Sequence, residues 1–365
     1  MEAVIIAGGL GTRLLPLTEH RPKHVLPVGG VPFVVHQVAK LAAAGVDHVV
    51  LATSYHSEAF LPVLGDGSEL GLSITYVRED PPLGTGGAIR YAAALLDAAP
   101  DDPVLVLNGD QLSGHDLAAQ VAALHARDAD VVLHLVEVPD ARAYGVVPTD
   151  EDGWVTAFVE KSDDPPASQI NAGGYVFRRS AIDRIPAGRV VSVERETFPG
   201  FVAAGRRVLG HRDDAYWIDV GTPALLVRAS CDLVLGRVVS AAYPAVPSAA
   251  LVQDGAQVAP DATVNRGSVI GPGTEIGAGA LVSGSVVMPG ARLGPGVELR
   301  DSVVGPGAVL GAYAVVTDAV VGDEATIGER TRLLAGASVG VGETVPADTV
   351  VRVASPRRST GRRVR

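Results

Sequence analysis

The sequence predicts a chain of two domains: an α/β domain with a mixed, mostly parallel sheet, and after it a parallel β-helix. From residue 1 to about 235, short apolar runs alternate with amphipathic stretches, which is the rhythm of a parallel α/β sheet. From about 250 to 350, apolar residues recur every six positions, and such short repeats bury their apolar faces only by stacking. The last segment, 351–365, is basic and is expected to be a solvated tail.

In the first domain, strands are expected at the apolar runs and helices between them. The expected strands are 3–6, 48–52, 73–77, 104–107 and 130–136. The helical spacing of apolar residues predicts helices at 33–44, 88–96 and 116–127, and later around 193–204 and 223–234. Three closely spaced runs predict an added mixed-sheet region: 145–147, 155–160 and 173–177. Because ligands of parallel sheets bind beyond the carboxyl ends of the strands, functional residues are expected there.

The six-residue period is regular enough to predict stacked coils. Two series keep the spacing: Val258, Val264, Ile270, Ile276 and Val282, and then Val321, Ile327, Leu333, Val339 and Val345. Between them the period slips to five in places. The pattern resembles the hexapeptide repeats of left-handed parallel β-helices, so we expect three hexads to a coil and roughly five coils.

Composition excludes several classes of protein. A net charge of −11 argues against a general binder of nucleic acid or anionic membranes, so any phosphate must be held by a local cluster of cations. The single cysteine, Cys231, excludes a disulfide framework and a cysteine-only metal site. The N-terminus lacks the features of a signal peptide, and no apolar stretch reaches the ~20 residues that span a membrane. We therefore expect a cytoplasmic protein.

The first strand leads into a glycine-rich segment that is typical of a phosphate site. Gly8, Gly9 and Gly11 let backbone N–H groups approach a phosphate chain, and Arg13 can bind it with two parallel hydrogen bonds. The spacing departs from both the Walker pattern and the dinucleotide fingerprint, so neither site is expected. Lys23, which follows a rigid proline, is a second candidate cation. A tight turn with a surface arginine is the alternative interpretation.

Two aspartates follow apolar strands and are candidate metal ligands. Asp110 comes directly after the 104–107 strand, and Asp219 ends a short apolar run. Two carboxylates together with phosphate oxygens and water suit Mg²⁺. Glu160 and Lys161 end another apolar run, where they would clamp a phosphorylated substrate. The alternatives are a turn or helix-cap role for each aspartate and a solvated pair for Glu160 and Lys161.

Taken in order, these segments resemble the sugar-nucleotide pyrophosphorylases, and most closely the mannose-1-phosphate guanylyltransferases. The matching segments are 8–18, 21–23, 82–87, 108–110, 144–146, 159–161, 170–173 and 217–221. The resemblance implies a Rossmann-like nucleotidyltransferase domain at 1–235 and a left-handed β-helix at 250–350. Such enzymes join a sugar 1-phosphate to a nucleoside triphosphate and release pyrophosphate. For this chain, mannose 1-phosphate and GTP are the first choice of substrates.

The resemblance also implies roles for residues at matching positions. The nucleotide would contact Gly8, Gly9, Gly11, Thr12, Gly84 and Thr85. The sugar phosphate would contact Asn108, Gly145, Glu160, Lys161 and Asn171. Catalytic charge neutralisation would come from Arg13, Lys23 and Lys161, and Mg²⁺ would be held by Asp110 and Asp219. The third lysine of the chain, Lys40, lies on an expected helix and is interpreted as a surface residue.

One departure from the family pattern concerns substrate identity. The family usually has Pro-Lys-Pro, whereas this chain has Pro22, Lys23 and His24. His24 frees the backbone of Lys23 from the restriction before proline and is expected to add a titratable donor near the phosphates or the sugar. A cyclitol 1-phosphate or another hexose 1-phosphate is therefore the second choice of substrate.

Two other classes of function compete with this assignment. Acyltransferases with hexapeptide repeats generally need a histidine base, but residues 251–365 contain neither histidine nor lysine. A non-catalytic sensor of nucleotide sugars is expected to lack one of Asp110, Asp219 and Lys161, all of which are present. The β-helix itself offers small apolar faces and an exposed terminal coil, so we expect it to mediate a homo-oligomer.

Overall fold

The computed structural model describes residues 1–142, 144–159, 161–243 and 246–352. The chain divides into two compact units, 1–247 and 248–365. Most of the expected basic tail, from residue 353 onward, lies outside the described residues. In the described ranges, no helix is long and apolar enough to cross a membrane.

The first unit contains eleven strands and seven α-helices among its described residues. The strands are β1 Glu2–Ala7, β2 Pro27–Val28, β3 Val31–Pro32, β4 His48–Thr53, β5 Ser73–Arg78, β6 Pro103–Asn108, β7 Gln111–Ser113, β8 Val131–Glu137, β9 Gln169–Arg178, β10 Val208–Arg212 and β11 Trp217–Asp219. The α-helices are α1 Phe33–Ala43, α2 Leu61–Leu64, α3 Gly84–Ala92, α4 Leu117–Ala126, α5 Arg179–Ile182, α6 Phe198–Ala203 and α7 Pro223–Val234. A π-helix spans Val193–Thr197, and short 3₁₀ helices span Thr12–Leu14, Lys23–Val25, Ser57–Ala59, Ser68–Leu70 and Ala93–Leu95.

A seven-stranded sheet in the order β10-β8-β9-β6-β1-β4-β5 forms the centre of the unit. β9 runs antiparallel to both of its neighbours, and the other pairs are parallel. Its strands are rich in Val, Ile and Leu because helices cover both faces of such a sheet. β1 and β6 are neighbours, so the loops that follow them meet at one edge of the sheet. The expected mixed, mostly parallel sheet is confirmed.

The structure corrects three expected boundaries in this unit. The run 173–177 lies within β9, but 145–147 and the described part of the run 155–160 form only isolated bridges, such as Val146 with Val159. Pro148 has no N–H to donate and stops that ladder. Helix α3 begins at Gly84 rather than at residue 88. A Cβ on Gly87 would lie 2.9 Å from the Arg189 carbonyl oxygen, so the glycines serve close packing rather than ending the helix.

The second unit consists of three parallel sheets of six strands each, wound as the expected β-helix. The first sheet contains Ala250–Val252, Ser268–Ile270, Val286–Val287, Val303–Val304, Val320–Val321 and Ser338–Val339. The second contains Gln257–Val258, Glu275–Ile276, Arg292–Leu293, Val309–Leu310, Thr326–Ile327 and Thr344–Val345. The third contains Thr263–Asn265, Leu281–Ser283, Glu298–Arg300, Val315–Thr317, Arg332–Leu334 and Val350–Arg352.

Each sheet therefore has six strands instead of the roughly five coils expected. Val269 pairs with Val286, which is 17 residues later in the chain. Three full hexads would take 18 residues, so one repeat of this coil has five residues, which accounts for the slips in the period. Stacked serines support the short coils, because the Ser285 amide donates to the Ser268 hydroxyl at 3.1 Å and the Ser302 amide to the Ser285 hydroxyl at 3.2 Å.

Candidate active site

The glycine-rich loop begins where β1 ends, at the centre of the sheet edge. The Ser54 hydroxyl, just beyond β4, donates to the Gly8 carbonyl oxygen at 2.7 Å and ties the loop to the neighbouring strand. A Cβ on Gly9 would lie 3.4 Å from Cε of Lys23. Gly11 has a φ of +66°, and a Cβ there would lie 3.1 Å from Cβ of Lys23. The loop therefore packs directly against the lysine side chain, and the positive φ at Gly11 favours glycine there.

Lys23 and Asp110 form an ion pair at this edge. Their side chains are 12% and 21% exposed, respectively, so the pair is largely shielded from water. Burial alone would raise the pKa of Asp110, but the charge of Lys23 and the hydrogen bond from its ammonium bring that pKa below its usual value. Asp110 is therefore ionised at neutral pH.

Asp219 lies beside Asp110 at the end of a two-stranded ribbon formed by β7 and β11. The Val220 amide donates to the Asp110 carbonyl oxygen at 2.8 Å and holds the two segments together. Burial, and then the charge of Asp110, raise the pKa of Asp219. Two carboxylates that repel each other, at an edge that approaching phosphates can reach, form a donor set that fits a divalent cation with oxygen ligands.

Arg13 lies over the segment that follows Asp219. Its Nη2 is 3.8 Å from a carboxylate oxygen of Asp219, and 65% of the Arg13 side chain is exposed. A Cβ on Gly221 would lie 2.5 Å from the same Nη2, so this glycine makes room for the guanidinium. Thr12, beside it, is also exposed. The guanidinium thus offers its remaining N–H groups to an anion arriving from solvent.

A cleft of about 760 Å³ opens beside these charged groups. Six of the expected site residues line it: Gly84, Thr85, Asn108, Gly145, Lys161 and Asn171. Apolar walls come from Val146, Val147 and Phe158. The volume suits a bound small molecule. The glycine-rich loop, Lys23 and the two aspartates are not part of the cleft lining, but the 108–110 turn joins both groups.

The loop before α3 docks on the segment that contains the π-helix. The Thr85 hydroxyl donates to Oε2 of Glu194 at 2.9 Å and accepts a hydrogen bond from the Val193 amide at 2.9 Å. The Gly86 amide donates to the Val191 carbonyl oxygen at 2.8 Å. Glu194 and Arg195 also line the cleft. Sequence reasoning missed both, because neither stands in a motif and each is more than 100 residues from Thr85.

The two asparagines of the cleft differ in how their side chains are used. Oδ1 of Asn171 accepts from the Gly173 amide at 3.0 Å, and its Nδ2 donates to the Tyr175 hydroxyl at 2.8 Å. Asn171 therefore shapes its own turn. Oδ1 of Asn108 is buried and has no hydrogen-bond partner among the described residues. Such an acceptor costs ~1–3 kcal/mol unless it is satisfied, and a substrate hydroxyl entering the cleft would satisfy it.

His24 does not have the role expected from the sequence. Its side chain is 1% exposed, and burial lowers its pKa to about 3, so the ring stays neutral at ordinary pH. A Cβ on Gly109 would lie 2.9 Å from Cδ2 of His24. The ring thus packs under the turn that presents Asp110, and it is a packing residue rather than a titratable donor to substrate.

Three further residues are relevant to the site: Lys40, Glu79 and Glu160. Lys40 is not a plain surface residue, because its ammonium donates to the Ser113 carbonyl oxygen at 2.9 Å and burial lowers its pKa to about 8. Glu79, which sequence reasoning missed, is buried with a raised pKa, and its carboxylate accepts from the Leu83 amide at 2.8 Å. Glu160 lies outside the described residues.

Comparison with known proteins agrees with this geometry. The family model described as "Nucleotidyl transferase" matches residues 2–234, and the one described as "GMPPB C-terminal domain" matches 246–355. A mannose-1-phosphate guanylyltransferase of Mycobacterium tuberculosis is 51% identical over 285 residues, which are 78% of this chain and 79% of that protein. Mannose-1-phosphate guanylyltransferase 1 of Arabidopsis thaliana is 34% identical over 284 residues, 77% of this chain and 78% of that protein.

Two solved structures share the fold of the first unit. A putative glucose-1-phosphate thymidylyltransferase from Bacillus anthracis superposes with a TM-score of 0.57 and 25% identity, over 63% of this chain and 94% of that one. HddC from Yersinia pseudotuberculosis, in complex with GMP-PN, superposes with a TM-score of 0.54 and 30% identity, over 63% of this chain and 97% of that one. Since the family match runs through the whole α/β unit, the chain belongs to the nucleotidyl transferase family and is a nucleotidyltransferase.

Proposed function

We propose that this enzyme transfers a guanylyl group from GTP to mannose 1-phosphate, which gives GDP-mannose and pyrophosphate. The observation that carries the proposal is the 51% identity, over 78% of the chain, to the mycobacterial mannose-1-phosphate guanylyltransferase. The paired aspartates and cations beside a cleft of about 760 Å³ support it, since both substrates are phosphorylated. The second candidate substrate remains a cyclitol 1-phosphate or another hexose 1-phosphate.

The nucleotide is proposed to lie along the glycine-rich loop and reach the loop before α3. Backbone N–H groups at Gly8, Gly9, Gly11 and Thr12 would contact its phosphates. The exposed guanidinium of Arg13 and the ammonium of Lys23 would neutralise the triphosphate. Lys23 now neutralises Asp110, so binding of the triphosphate must compete for, or share, that ammonium. Gly84 and Thr85 would contact the base from the cleft.

The sugar phosphate is proposed to lie in the cleft. Lys161 is exposed at the cleft wall, where its ammonium can meet a phosphate that enters from solvent. The unpaired Oδ1 of Asn108 would accept a hydrogen bond from a sugar hydroxyl. Gly145 and Asn171 would contact the ring, and Glu160 is assigned to the same subsite from its position in the sequence.

The catalytic metal is proposed to be Mg²⁺. Enzymes of this family generally use a divalent metal. Asp110 and Asp219 would hold Mg²⁺, which when bound supplies positive charge to the phosphate oxygens. Burial, and then repulsion by Asp110, raise the pKa of Asp219, and a cation held by both carboxylates would offset that repulsion.

The reaction requires alignment of the two substrates and neutralisation of their negative charge, and it does not require proton transfer. A phosphate oxygen of the sugar phosphate attacks the α-phosphorus of GTP, the bond to the β-phosphate oxygen breaks, and pyrophosphate leaves. The attacking phosphate is already ionised at neutral pH, so no general base is needed. Lys161 and Lys23 would bring the two anions together, and Arg13 would stabilise the charge that spreads over the transferring group.

Turnover of a substrate panel by the full-length chain tests the proposal. GTP, ATP, UTP and dTTP are each paired with mannose 1-phosphate, glucose 1-phosphate and a cyclitol 1-phosphate, and pyrophosphate release is measured. We expect kcat/KM for GTP with mannose 1-phosphate to exceed every other pair by at least about tenfold. Faster turnover of the cyclitol phosphate would transfer the assignment to the second candidate. No turnover with any pair would indicate a non-catalytic regulatory protein.

The cellular setting and the assembly are proposed on the same basis. Nucleoside triphosphates and sugar phosphates are metabolites of the cytoplasm, and we place the reaction there. The β-helix is proposed to join copies of the chain into a homo-oligomer, since it carries no histidine or lysine that could serve catalysis. No nucleic-acid or membrane partner is proposed.

A further inference from the structure

A second cluster of chemically active side chains lies at the other end of the β7–β11 ribbon from the two catalytic aspartates. It consists of His115, His134, His211 and Asp213. His115 is two residues beyond the end of β7, and Asp213 is four residues before the start of β11. None of the roles proposed above uses these residues.

The sheet order brings the three imidazoles together. β10 pairs with β8 in parallel, and His211 is the register partner of His134. His115 stacks on His134, with ring centroids 3.6 Å apart and ring planes at 11°. The ring of His115 also lies 5.4 Å from that of His211. His115 and His134 are 4% and 2% exposed, while His211 and Asp213 are partly exposed and reachable from solvent.

Three of these residues present ligand atoms to one point. One atom each from His115, His211 and Asp213 lies within 4.8 Å of the others. Two imidazole nitrogens and a carboxylate oxygen are a donor set that Zn²⁺ and related divalent transition ions accept. The catalytic aspartates, by contrast, offer oxygen ligands only.

The hydrogen bonds around His115 show that a cation is needed here. The Gln120 amide nitrogen donates to the Val132 and Gly174 carbonyl oxygens at 3.0 and 3.2 Å, so its Oε1 faces Nε2 of His115 at 3.0 Å. Nε2 of His115 must therefore carry the hydrogen, and Nδ1 of the neutral ring has a lone pair. That lone pair contacts a carboxylate oxygen of Asp213, which is also an acceptor. A proton shared between the two atoms satisfies this contact. A metal ion bound by the same two lone pairs would replace that proton, with the two atoms further apart.

His211 places a third possible ligand beside these two atoms. No hydrogen bond joins its ring nitrogens to another described residue, and one of them lies within 4.8 Å of both acceptors. A proton shared by His115 and Asp213 involves two atoms only, whereas a metal ion would also be bound by the third. The second oxygen of Asp213 accepts from Nε2 of His134 at 3.2 Å, and a hydrogen bond of this kind orients a metal-binding carboxylate.

The local charge balance also allows a cation. Lys40 is the ammonium that acts on this cluster, and it is held by the Ser113 carbonyl oxygen at 2.9 Å. Two carboxylates, Asp116 and Asp213, act on Lys40 in turn and offset its charge.

We propose that His115, His211 and Asp213 bind one divalent transition-metal ion, with Zn²⁺ as the metal that suits them, at a site separate from the catalytic cation. Three protein ligands leave a fourth position for water. The ion would join the edge strand β10 to the segment that follows β7. Its role would be to fix the end of the ribbon that is remote from Asp110 and Asp219.

Cobalt binding to the metal-stripped full-length chain tests the proposal. Co²⁺ is added in the presence of excess Mg²⁺, which keeps the catalytic aspartates occupied, and visible absorption, bound metal per chain and melting temperature are recorded. We expect one Co²⁺ per chain with the strong bands of a tetrahedral site, displacement by Zn²⁺, and a higher melting temperature with either metal.

Three variants sharpen the test. His211→Gln should weaken Co²⁺ and Zn²⁺ binding by more than about 100-fold without unfolding the chain, because the ring is partly exposed and makes no hydrogen bond to another described residue. His125→Gln, an exposed histidine on α4, is the matched control and should bind as the unmodified chain does. Asp219→Asn should also keep the site, which separates it from the catalytic cation.

Three outcomes would overturn the proposal. The first is equal affinity of His211→Gln and the unmodified chain. The second is loss of the cobalt bands in Asp219→Asn, which would place the ion at the catalytic aspartates. The third is absence of tetrahedral Co²⁺ in the unmodified chain, which would leave a proton between His115 and Asp213.

Discussion

Replacing Asp110 or Asp219, the two proposed metal ligands, by asparagine is predicted to lower turnover in both cases but to affect stability very differently. Asp110 is the partner of Lys23, whose side chain is 12% exposed. Asp110→Asn removes the main counter-charge of that buried ammonium. Loss of one member of a buried pair costs ~3–5 kcal/mol, and the partial exposure of both groups favours the lower end, about 3 kcal/mol. The melting temperature of the first unit should fall by roughly 6–12 °C.

Asp219 has the opposite effect on the stability of the fold. Its pKa is raised by burial and by Asp110, so the folded chain holds the proton more tightly than the unfolded chain does. Stability therefore falls as pH rises from the ordinary carboxyl pKa through the raised one, and at neutral pH the ionised carboxylate destabilises the fold. Asp219→Asn removes that cost together with an ion pair at 3.8 Å to Arg13, whose side chain is 65% exposed, and such a pair contributes below ~1 kcal/mol. We expect a free energy of unfolding within about 1 kcal/mol of the unmodified chain.

Melting curves without metal and turnover at limiting Mg²⁺ check both variants together. Each should lose at least about 100-fold in turnover, since an amide is a poor replacement for an ionised ligand of Mg²⁺. Asp214→Asn, an exposed carboxylate close in sequence, is the control and should change neither quantity. Equal destabilisation by Asp110→Asn and Asp219→Asn would refute the charge assignment. Near-normal turnover of either variant would refute the metal assignment.

Three further predictions concern the cations, His24 and the β-helix. Lys161→Ala should raise KM for the sugar phosphate by about tenfold. Lys23→Ala should raise KM for the triphosphate by about a hundredfold, since Lys23 is the more buried cation. If each variant raised the KM values of both substrates equally, the two lysines would share one role. Because burial lowers the pKa of His24 to about 3, stability is lost as pH falls below the ordinary 6.5. His24→Gln should therefore lose less stability between neutral pH and about pH 5 than the unmodified chain in paired melts, and equal losses would contradict this. A chain that ends at Pro247 should bind GTP and Mg²⁺ and have a lower oligomeric mass by light scattering, and a monomeric full-length chain would disprove the assembly.

Strands β1, β4, β6 and β8 could be predicted from the sequence because each contains a run of apolar residues that the sheet buries. Strands β2, β3, β7 and β10 lie outside the expected strands, since each is very short or carries polar residues. The meeting of Gly8 and Asn108 at one edge of the sheet could be predicted for a related reason, since parallel strands end at one edge. Gly8 follows β1, Asn108 ends β6, and β1 pairs with β6. A local pattern and a general rule of topology were sufficient to place these two residues, and their roles in binding stay predictions.

Residues whose partners are distant in the chain could not be predicted. Glu194 accepts a hydrogen bond from Thr85, which is 109 residues away, and no spacing pattern in the sequence predicts that contact. The same holds for His24, which looks like a titratable donor in the sequence and is in fact covered by the fold. Its role depends on packing against Gly109, a contact that only the tertiary structure defines.

The β7–β11 ribbon shows why these distant contacts matter for the chemistry. It pairs only three residues on each strand, and so short a ribbon is not stable without support. Its support comes from other elements: the Gln37 side chain donates to the Gln111 carbonyl oxygen, Lys40 to that of Ser113, and Nε1 of Trp217 to that of Ala172 at 3.0 Å. The ribbon thus connects Asp110 and Asp219 at one end with the histidine cluster at the other. Because Gln37, Lys40 and Trp217 hold the ribbon, they also help to position the two aspartates that we propose as metal ligands.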